Sequence, residues 1–163
     1  MKKLTSKPKK KELGAFAHCP LDFTVYYSKE EFEGTNYIEI KPSKYVGKCW
    51  GPGSISISDD AFALLDWAFR KHIRNYDPYE FIDVRSGAML KVAEDLQAFV
   101  EMIENNKLLA EIRKYCRITE FYKREFEIAL REQQKEMITA ASEISGWIRD
   151  QAKTTDYFAI LGV

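Results

Sequence analysis

The sequence predicts a single α+β domain, in which a small, mainly antiparallel sheet from residues 22–57 and 157–161 packs on about four helices. Polar and apolar residues alternate in short stretches of the N-terminal third, and apolar residues then recur every three or four positions. A length of 163 residues is typical of one domain, and 45% apolar residues are enough to form a core. The short apolar stretch at residues 157–161 has no helical period, so we expect it to join the N-terminal strands.

Three stretches of the N-terminal third are typical of strands. Residues 22–27 are rich in aromatic and β-branched side chains, whereas residues 37–41 and 54–58 alternate between polar and apolar. Pro42 ends the second stretch because proline has no amide hydrogen to donate to a ladder. Residues 28–34, between the first two stretches, predict one helical turn or a loop.

The hydrophobic period changes from 2 to 3.6 after Ser58, which predicts the N-cap of a first helix. This helix should end before Asp77-Pro78, because the residue before a proline avoids the α region. Residues 81–84 predict a short strand or an extended linker. Ser86 predicts the N-cap of a second helix, and Asn105-Asn106 predicts its end, because asparagine tolerates the left-handed conformation.

The last third carries a helical stripe of apolar residues from Leu108 to Trp147. One straight helix over residues 107–153 would be about 70 Å long, which exceeds the diameter of a domain of this size. We therefore expect a break at Arg117-Ile118-Thr119. A coiled-coil seam is the alternative, but polar residues on the stripe, such as Gln133, argue against it.

The net charge of zero conceals an uneven distribution. Residues 1–11 contain six lysines and no acid, so the rest of the chain has a net charge of −6. Residues 1–12 predict a disordered basic tail, and residues 13–163 the α+β domain. Residues 59–104 hold ten acidic and five basic side chains. Such a surface disfavours nucleic acid and favours a basic partner.

No pattern in the sequence predicts catalysis, a metal site or a cofactor. His18-Cys19 is an adjacent pair without metal-ligand spacing, and no phosphate-binding loop is present. Two alternatives stay open. The first is a small enzyme with Cys49, Trp50 and His72 near its site. The second is a nucleic-acid accessory protein that acts through the lysine-rich tail and a basic stretch at residues 107–135.

The sequence also predicts a cytoplasmic location and no membrane partner. Met1-Lys2-Lys3 is followed by polar residues rather than by the apolar core of a secretory signal. No apolar run reaches the length of a transmembrane helix. Three widely spaced cysteines cannot all pair with one another, and a domain of this size does not need disulfides.

Tyrosines flanked by carboxylates are typical of surfaces that bind Arg- and Lys-rich partners. Residues 76–80 have this composition most clearly, and acidic residues precede and follow them. The candidate partner-binding residues are Asp59, Asp60, Asp66, Tyr76, Asp77, Tyr79, Glu80 and Asp83.

The layout of residues 37–163 resembles a known class of proteins. Residues 53–58 run directly into Asp59-Asp60-Ala61-Phe62, Asn75-Tyr76-Asp77 follows, and Trp147-Ile148-Arg149-Asp150 precedes the C-terminal stretch 158–162. This layout resembles the small bacterial immunity proteins of contact-dependent growth inhibition and related polymorphic toxin systems. The resemblance implies a cytosolic, non-enzymatic protein that binds and neutralises a cognate toxin domain. The resemblance does not specify the toxin, and from the acidic charge of the domain we expect a basic nuclease. The lysine-rich start departs from the acidic composition of these proteins.

Overall fold

The computed structural model describes residues 19–163, which form a four-stranded sheet and six α-helices. The strands are β1 (Tyr37–Lys41), β2 (Ile55–Ser58), β3 (Phe81–Arg85) and β4 (Tyr157–Gly162). The helices are α1 (Asp59–Phe62), α2 (Trp67–His72), α3 (Ser86–Glu104), α4 (Leu109–Cys116), α5 (Lys123–Glu132) and α6 (Gln134–Gln151). This confirms the α+β class. The predicted tail at residues 1–12 lies outside the described residues.

The C-terminal strand occupies a central position in the sheet. The strand order is β2-β1-β4-β3, and every neighbouring pair is antiparallel. Ile160 of β4 lies opposite Ile40 on one side and Ile82 on the other. The predicted meeting of the N-terminal strands with the end of the chain is therefore confirmed, and β3 is an additional member of the sheet.

The two faces of the sheet have different coverings. Ile38 and Ile40 of β1 belong to the core shared with the helices, so Glu39 and Lys41 lie on the opposite face. Both charged residues are nevertheless buried, because the segment between β1 and β2 folds over them. Lys41 fixes this segment by donating from Nζ to the carbonyl oxygen of Lys48 at 2.6 Å.

Helices α3 and α6 form the most extensive helix pair, and α2 packs against α3. Ser145 of α6 is fully buried at the first of these contacts. Its hydroxyl donates a 2.7 Å hydrogen bond to the carbonyl oxygen of Ala93 on α3, so this polar group is satisfied within the core.

Residues 22–27 do not form the predicted strand. Only Tyr26 pairs with the sheet, through two 2.8 Å backbone hydrogen bonds with Ser56. The carboxylate of Asp22 accepts from the amide of Thr24 and from the hydroxyl of Tyr26. Local hydrogen bonds of this kind compete with a ladder, which explains why this aromatic stretch stays irregular although Phe23 is buried.

The predicted first helix is divided in two between α1 and α2. Its N-cap at Ser58 is confirmed, because Oγ accepts from the amide of Ala61. Hydrogen bonds of the i to i+3 type, from Leu64 to Ala61 and from Leu65 to Phe62, tighten the chain between the helices. This extra turn allows side chains on every side of the segment to reach the core, which a single amphipathic face could not do.

The long stripe breaks at the predicted place and at a second one. Helix α4 ends at Cys116, and Arg117 adopts a left-handed conformation with φ of 51°. The second break is at Gln133, whose side-chain amide bonds both the N–H and the C=O of Leu21. A further correction concerns Ser86, which begins α3 but does not cap it, because its hydroxyl donates to the carbonyl oxygen of Thr155.

Candidate functional site

The loop between α2 and β3 carries the centre of the sequence-predicted site. The carboxylate of Asp77 accepts from the amide of Tyr79 at 2.9 Å, and the carbonyl oxygen of Asp77 accepts from the amide of Glu80. This turn holds Tyr79 with 72% of its surface exposed. Gly162, in the last position of β4, lies against the backbone of Pro78, where a Cβ atom would come within 2.4 Å of the carbonyl oxygen. The end of the sheet therefore fixes the position of the loop.

Two aromatic residues at the break between α4 and α5 extend this surface. The rings of Phe121 and Tyr122 meet edge to face at 4.8 Å, and Phe121 is 80% exposed. Burial raises the pKa of Tyr122, and Tyr79 and Asp66 raise it further, so both groups lie near Tyr122. We call this surface the acidic–aromatic patch, and it consists of Asp60, Asp77, Tyr79, Glu80, Phe121 and Tyr122.

Asp66 and Tyr76 lie beneath the patch rather than on it. Asp66 is only 4% exposed, and burial raises its pKa to about 6, an effect that Arg70 opposes. Nη2 of Arg70 lies 2.8 Å from Oδ1 of Asp66, in an ion pair without hydrogen-bond geometry. The hydroxyl of Tyr76 is buried without a hydrogen-bond partner among the described residues. Burial raises the pKa of Tyr76, and the nearby Asp66 raises it further. Asp66 can position the patch but is too buried to contact a partner directly, whereas the side chain of Tyr76 stays partly exposed although its hydroxyl is buried.

The two remaining candidates lie outside the patch. Asp59 is half-buried at the start of α1, where Oδ1 accepts from the amide of Asp60. Burial and the neighbouring Asp60 raise its pKa. Asp83 is on the sheet face that points away from the helices, and its carboxylate accepts from the amide of Tyr45 at 2.8 Å.

The structure therefore brings Asp60, Asp77, Tyr79 and Glu80 together at the surface. Phe121 and Tyr122 were not predicted as site residues. The sequence did contain a signal for Phe121. Tyr122 lies on the apolar stripe that faces the core. The adjacent residue, Phe121, therefore points away from this stripe, and at a break between helices it is left exposed.

Cys49 and His72 of the enzyme alternative lie on opposite sides of the sheet. Cys49 is near Glu39 and Lys41 on the face turned away from the helices, and its pKa is raised by burial and by Glu39. His72 is in the helical layer, at the end of α2. A raised pKa is the opposite of what activates a thiol nucleophile.

His72 belongs to a polar cluster that connects three helices. Asp95 of α3 accepts from the hydroxyl of Tyr115 of α4 at 2.6 Å, and its other oxygen lies 2.8 Å from Nε2 of His72. Nζ of Lys71 is 3.4 Å from the same carboxylate. Although burial opposes them, these partners together lower the pKa of Asp95. The cluster fixes α2 and α4 against α3.

Residues 19–163 contain neither a candidate metal-binding cluster nor a candidate membrane-spanning helix. No group of three or more His, Cys, Asp or Glu side chains in this range is arranged to hold a metal ion. Within the same range, no helix combines the length and the apolar character needed to cross a membrane.

In comparisons with known proteins, no family model matches the chain, and neither a curated protein nor a solved structure matches it.

Proposed function

We propose that this chain is a non-enzymatic immunity protein that binds a cognate bacterial toxin domain in the cytoplasm and neutralises it. The observation that carries the proposal is the acidic–aromatic patch, in which Tyr79 is strongly exposed between Asp77 and Glu80, and Phe121 is strongly exposed beside Tyr122. Large exposed aromatic residues next to one sign of charge are typical of protein-binding surfaces.

The patch combines the two contributions that a tight inhibitor needs. Tyr79 and Phe121 provide apolar area that a partner can bury, and aromatic residues of this kind dominate binding energy at interfaces. Asp60 and Glu80 are exposed, so they remain free to attract basic side chains and to increase the rate of association. A basic nuclease that binds phosphate backbones would meet this surface with complementary charge.

The position of β3 also supports the proposal that a partner binds on the side of the molecule that carries the patch. Strand β3 is at the edge of the sheet and pairs only with β4 among the described strands. Its first residue, Phe81, is 46% exposed and directly follows the patch residue Glu80. An open edge strand beside an exposed patch allows a partner to add backbone hydrogen bonds to its side-chain contacts.

The proposal predicts that a neighbouring gene encodes a toxin domain, and a growth-protection assay with that domain tests it. Co-expression of the wild-type chain should restore growth. Protection should be lost in the variant Tyr79→Ala/Phe121→Ala, because at least about 2 kcal/mol of binding free energy is expected at an aromatic hot spot. In a pull-down with the purified toxin domain, the wild-type chain should bind more strongly than this double variant.

The matched control is Tyr27→Ala/Leu108→Ala, which removes two exposed apolar side chains outside the patch. This variant should protect as well as the wild type. The proposal would be wrong if both double variants protected equally, or if the wild-type chain neither protected cells nor bound the toxin domain.

A further inference from the structure

A second concave surface lies where α4 meets the ends of α2 and α3. Its volume is about 600 Å³, which is within the range of small-molecule sites. Met102 and Tyr115 give it an apolar wall. Four cationic side chains surround this wall, namely Lys71, Lys107, Lys114 and Arg117.

Three of these cations lack a carboxylate partner. Neither Lys107, Lys114 nor Arg117 forms an ion pair with any residue in the range 19–163. Glu111 is the acid that lines the same pocket, and its carboxylate accepts from the amide of Leu108 at the start of α4. The positive charge of the pocket is therefore largely uncompensated.

Basic residues of the neighbouring surface are neutralised instead. Arg113 lies 3.1 Å from Glu127, and Lys123 lies 3.6 Å from Glu120. Among the basic residues of α5, Arg124 alone forms no ion pair with a described residue, so most of the uncompensated positive charge lies in the concavity. This distribution fits a small anion better than a nucleic-acid backbone, which needs a row of phosphate contacts.

The geometry of two of the cations is also defined. Nζ of Lys71 lies 4.0 Å from the centre of the Tyr115 ring and 3.4 Å from the carboxylate of Asp95, so its position is fixed. Arg117 adopts φ of 51°, a region in which glycine or asparagine would be less strained. The chain thus keeps an arginine at a position where backbone conformation alone would favour glycine.

We propose that this pocket binds a small anion that carries phosphate groups. The planar guanidinium of Arg117 and the ammonium groups of Lys107 and Lys114 supply charged donors around one concavity, which is the chemistry that phosphate oxygens require. The site is independent of the proposed immunity function, because it uses none of the residues of the acidic–aromatic patch.

The test is calorimetric titration of the full chain with pyrophosphate at constant ionic strength. The test variant is Lys107→Gln/Lys114→Gln/Arg117→Gly, in which glycine keeps the left-handed conformation and should preserve the fold. Pyrophosphate should bind the wild type and bind this variant at least about tenfold more weakly, because charge-assisted hydrogen bonds are lost. Melting curves confirm that the variant is folded.

The matched control is Lys91→Gln/Arg124→Gln/Lys135→Gln, which removes three exposed cations that do not line this pocket. The control should bind pyrophosphate within about twofold of the wild type, since its lost charges lie outside the site. Equal weakening in both triple variants would overturn the proposal, because it would indicate only nonspecific attraction. A 12-nucleotide single strand is titrated in parallel. If it binds through the pocket residues while pyrophosphate does not bind, the small-anion proposal is wrong.

Discussion

The carboxylate of Glu39 is fully buried on the sheet face that points away from the helices. Its two oxygens accept from the consecutive amides of Trp50 and Gly51, at 2.7 and 3.1 Å. Trp50 has φ of 58°, a left-handed conformation that is costly for a bulky residue. This conformation allows two successive N–H groups to converge on one anion, so the strain of Trp50 is explained by the carboxylate that it binds.

Glu39→Ala should therefore lower the free energy of unfolding by about 3 kcal/mol, because two hydrogen bonds to a charged acceptor are lost and two partly buried amides lose their partner. Urea unfolding measures this change. Glu33→Ala is the control, since Glu33 is exposed and should shift the free energy by less than about 0.5 kcal/mol. Equal effects of the two substitutions would show that Glu39 does not hold the loop.

Asp66 makes stability depend on pH in an unusual direction. Burial raises its folded-state pKa from the ordinary value of 3.8 to about 6, because the effect of burial outweighs the attraction of Arg70. Between these two values the folded protein holds a proton that the unfolded chain has released. The contribution of Asp66 is therefore most favourable below about pH 4 and is lost as the pH rises through 6.

Asp66→Asn removes this dependence. The substitution should raise the free energy of unfolding at pH 7 by up to about 3 kcal/mol and have little effect at pH 4. Urea unfolding of both proteins across this pH range measures the difference. A gain of the same size at pH 4 and pH 7 would show that the carboxyl group of Asp66 does not titrate with a raised pKa.

At this scale the sequence identified the acidic turn of the candidate site, but neither the exposed Phe121 nor the burial of Asp66. Asp77, Tyr79 and Glu80 lie in a polar turn before a strand, and such a turn is exposed in almost any fold. Asp66 is acidic like the residues of this turn, but it is buried, because the extra turn between α1 and α2 rotates its side chain inward. That rotation depends on tertiary packing, which local periodicity does not encode.

At the scale of elements, the end of β4 determines the position of the loop between α2 and β3, which carries Tyr79 of the patch. Gly162→Ala would place a Cβ atom 2.4 Å from the carbonyl oxygen of Pro78 and 2.9 Å from Cα of Tyr79. The backbone of the loop must move to relieve this contact. We expect a loss of about 1–3 kcal/mol in the free energy of unfolding and weaker binding of the toxin domain.

Gly146→Ala is the control for this substitution. Gly146 lies inside α6, and an added Cβ atom there meets no heavy atom within 4 Å. This change should stabilise the protein by about 0.5–1 kcal/mol, because alanine is the better helix former. Thermal unfolding and surface plasmon resonance compare the two variants. If Gly162→Ala melted and bound like Gly146→Ala, the close contact between β4 and the loop would be refuted.

The elements that the sequence predicted well are those that local patterns define. Residues 37–41 alternate in hydrophobicity and form β1, and the break after Cys116 follows from the length of the stripe. The second break could not be predicted, because Gln133 is held there by hydrogen bonds to Leu21, 112 residues away. Long-range hydrogen bonds of this kind end a helix at a point where the hydrophobic period of the sequence continues unchanged.

At the scale of the whole molecule, opposite charges are placed in different surroundings. The acidic–aromatic patch presents carboxylates beside exposed rings, whereas the uncompensated cations of α4 line a concavity. A protein partner and a small anion could therefore be bound without competing for the same residues. Variants of one surface should leave the other activity unchanged, since the two surfaces share no residue.

Binding kinetics should distinguish the charged residues of the patch from its aromatic ones. Asp60→Lys/Glu80→Lys should slow association with the toxin domain by about tenfold at low salt and reduce its salt dependence, because exposed charges mainly steer the encounter. Tyr79→Ala should instead accelerate dissociation, because a buried aromatic contact is lost only after docking. Surface plasmon resonance at several salt concentrations measures both rates.

Glu33→Lys/Glu136→Lys, which reverses two exposed acids elsewhere, should change the association rate by no more than about twofold. If this control slowed association as much as the patch variant, steering would come from net charge alone, and the patch would not be the docking surface.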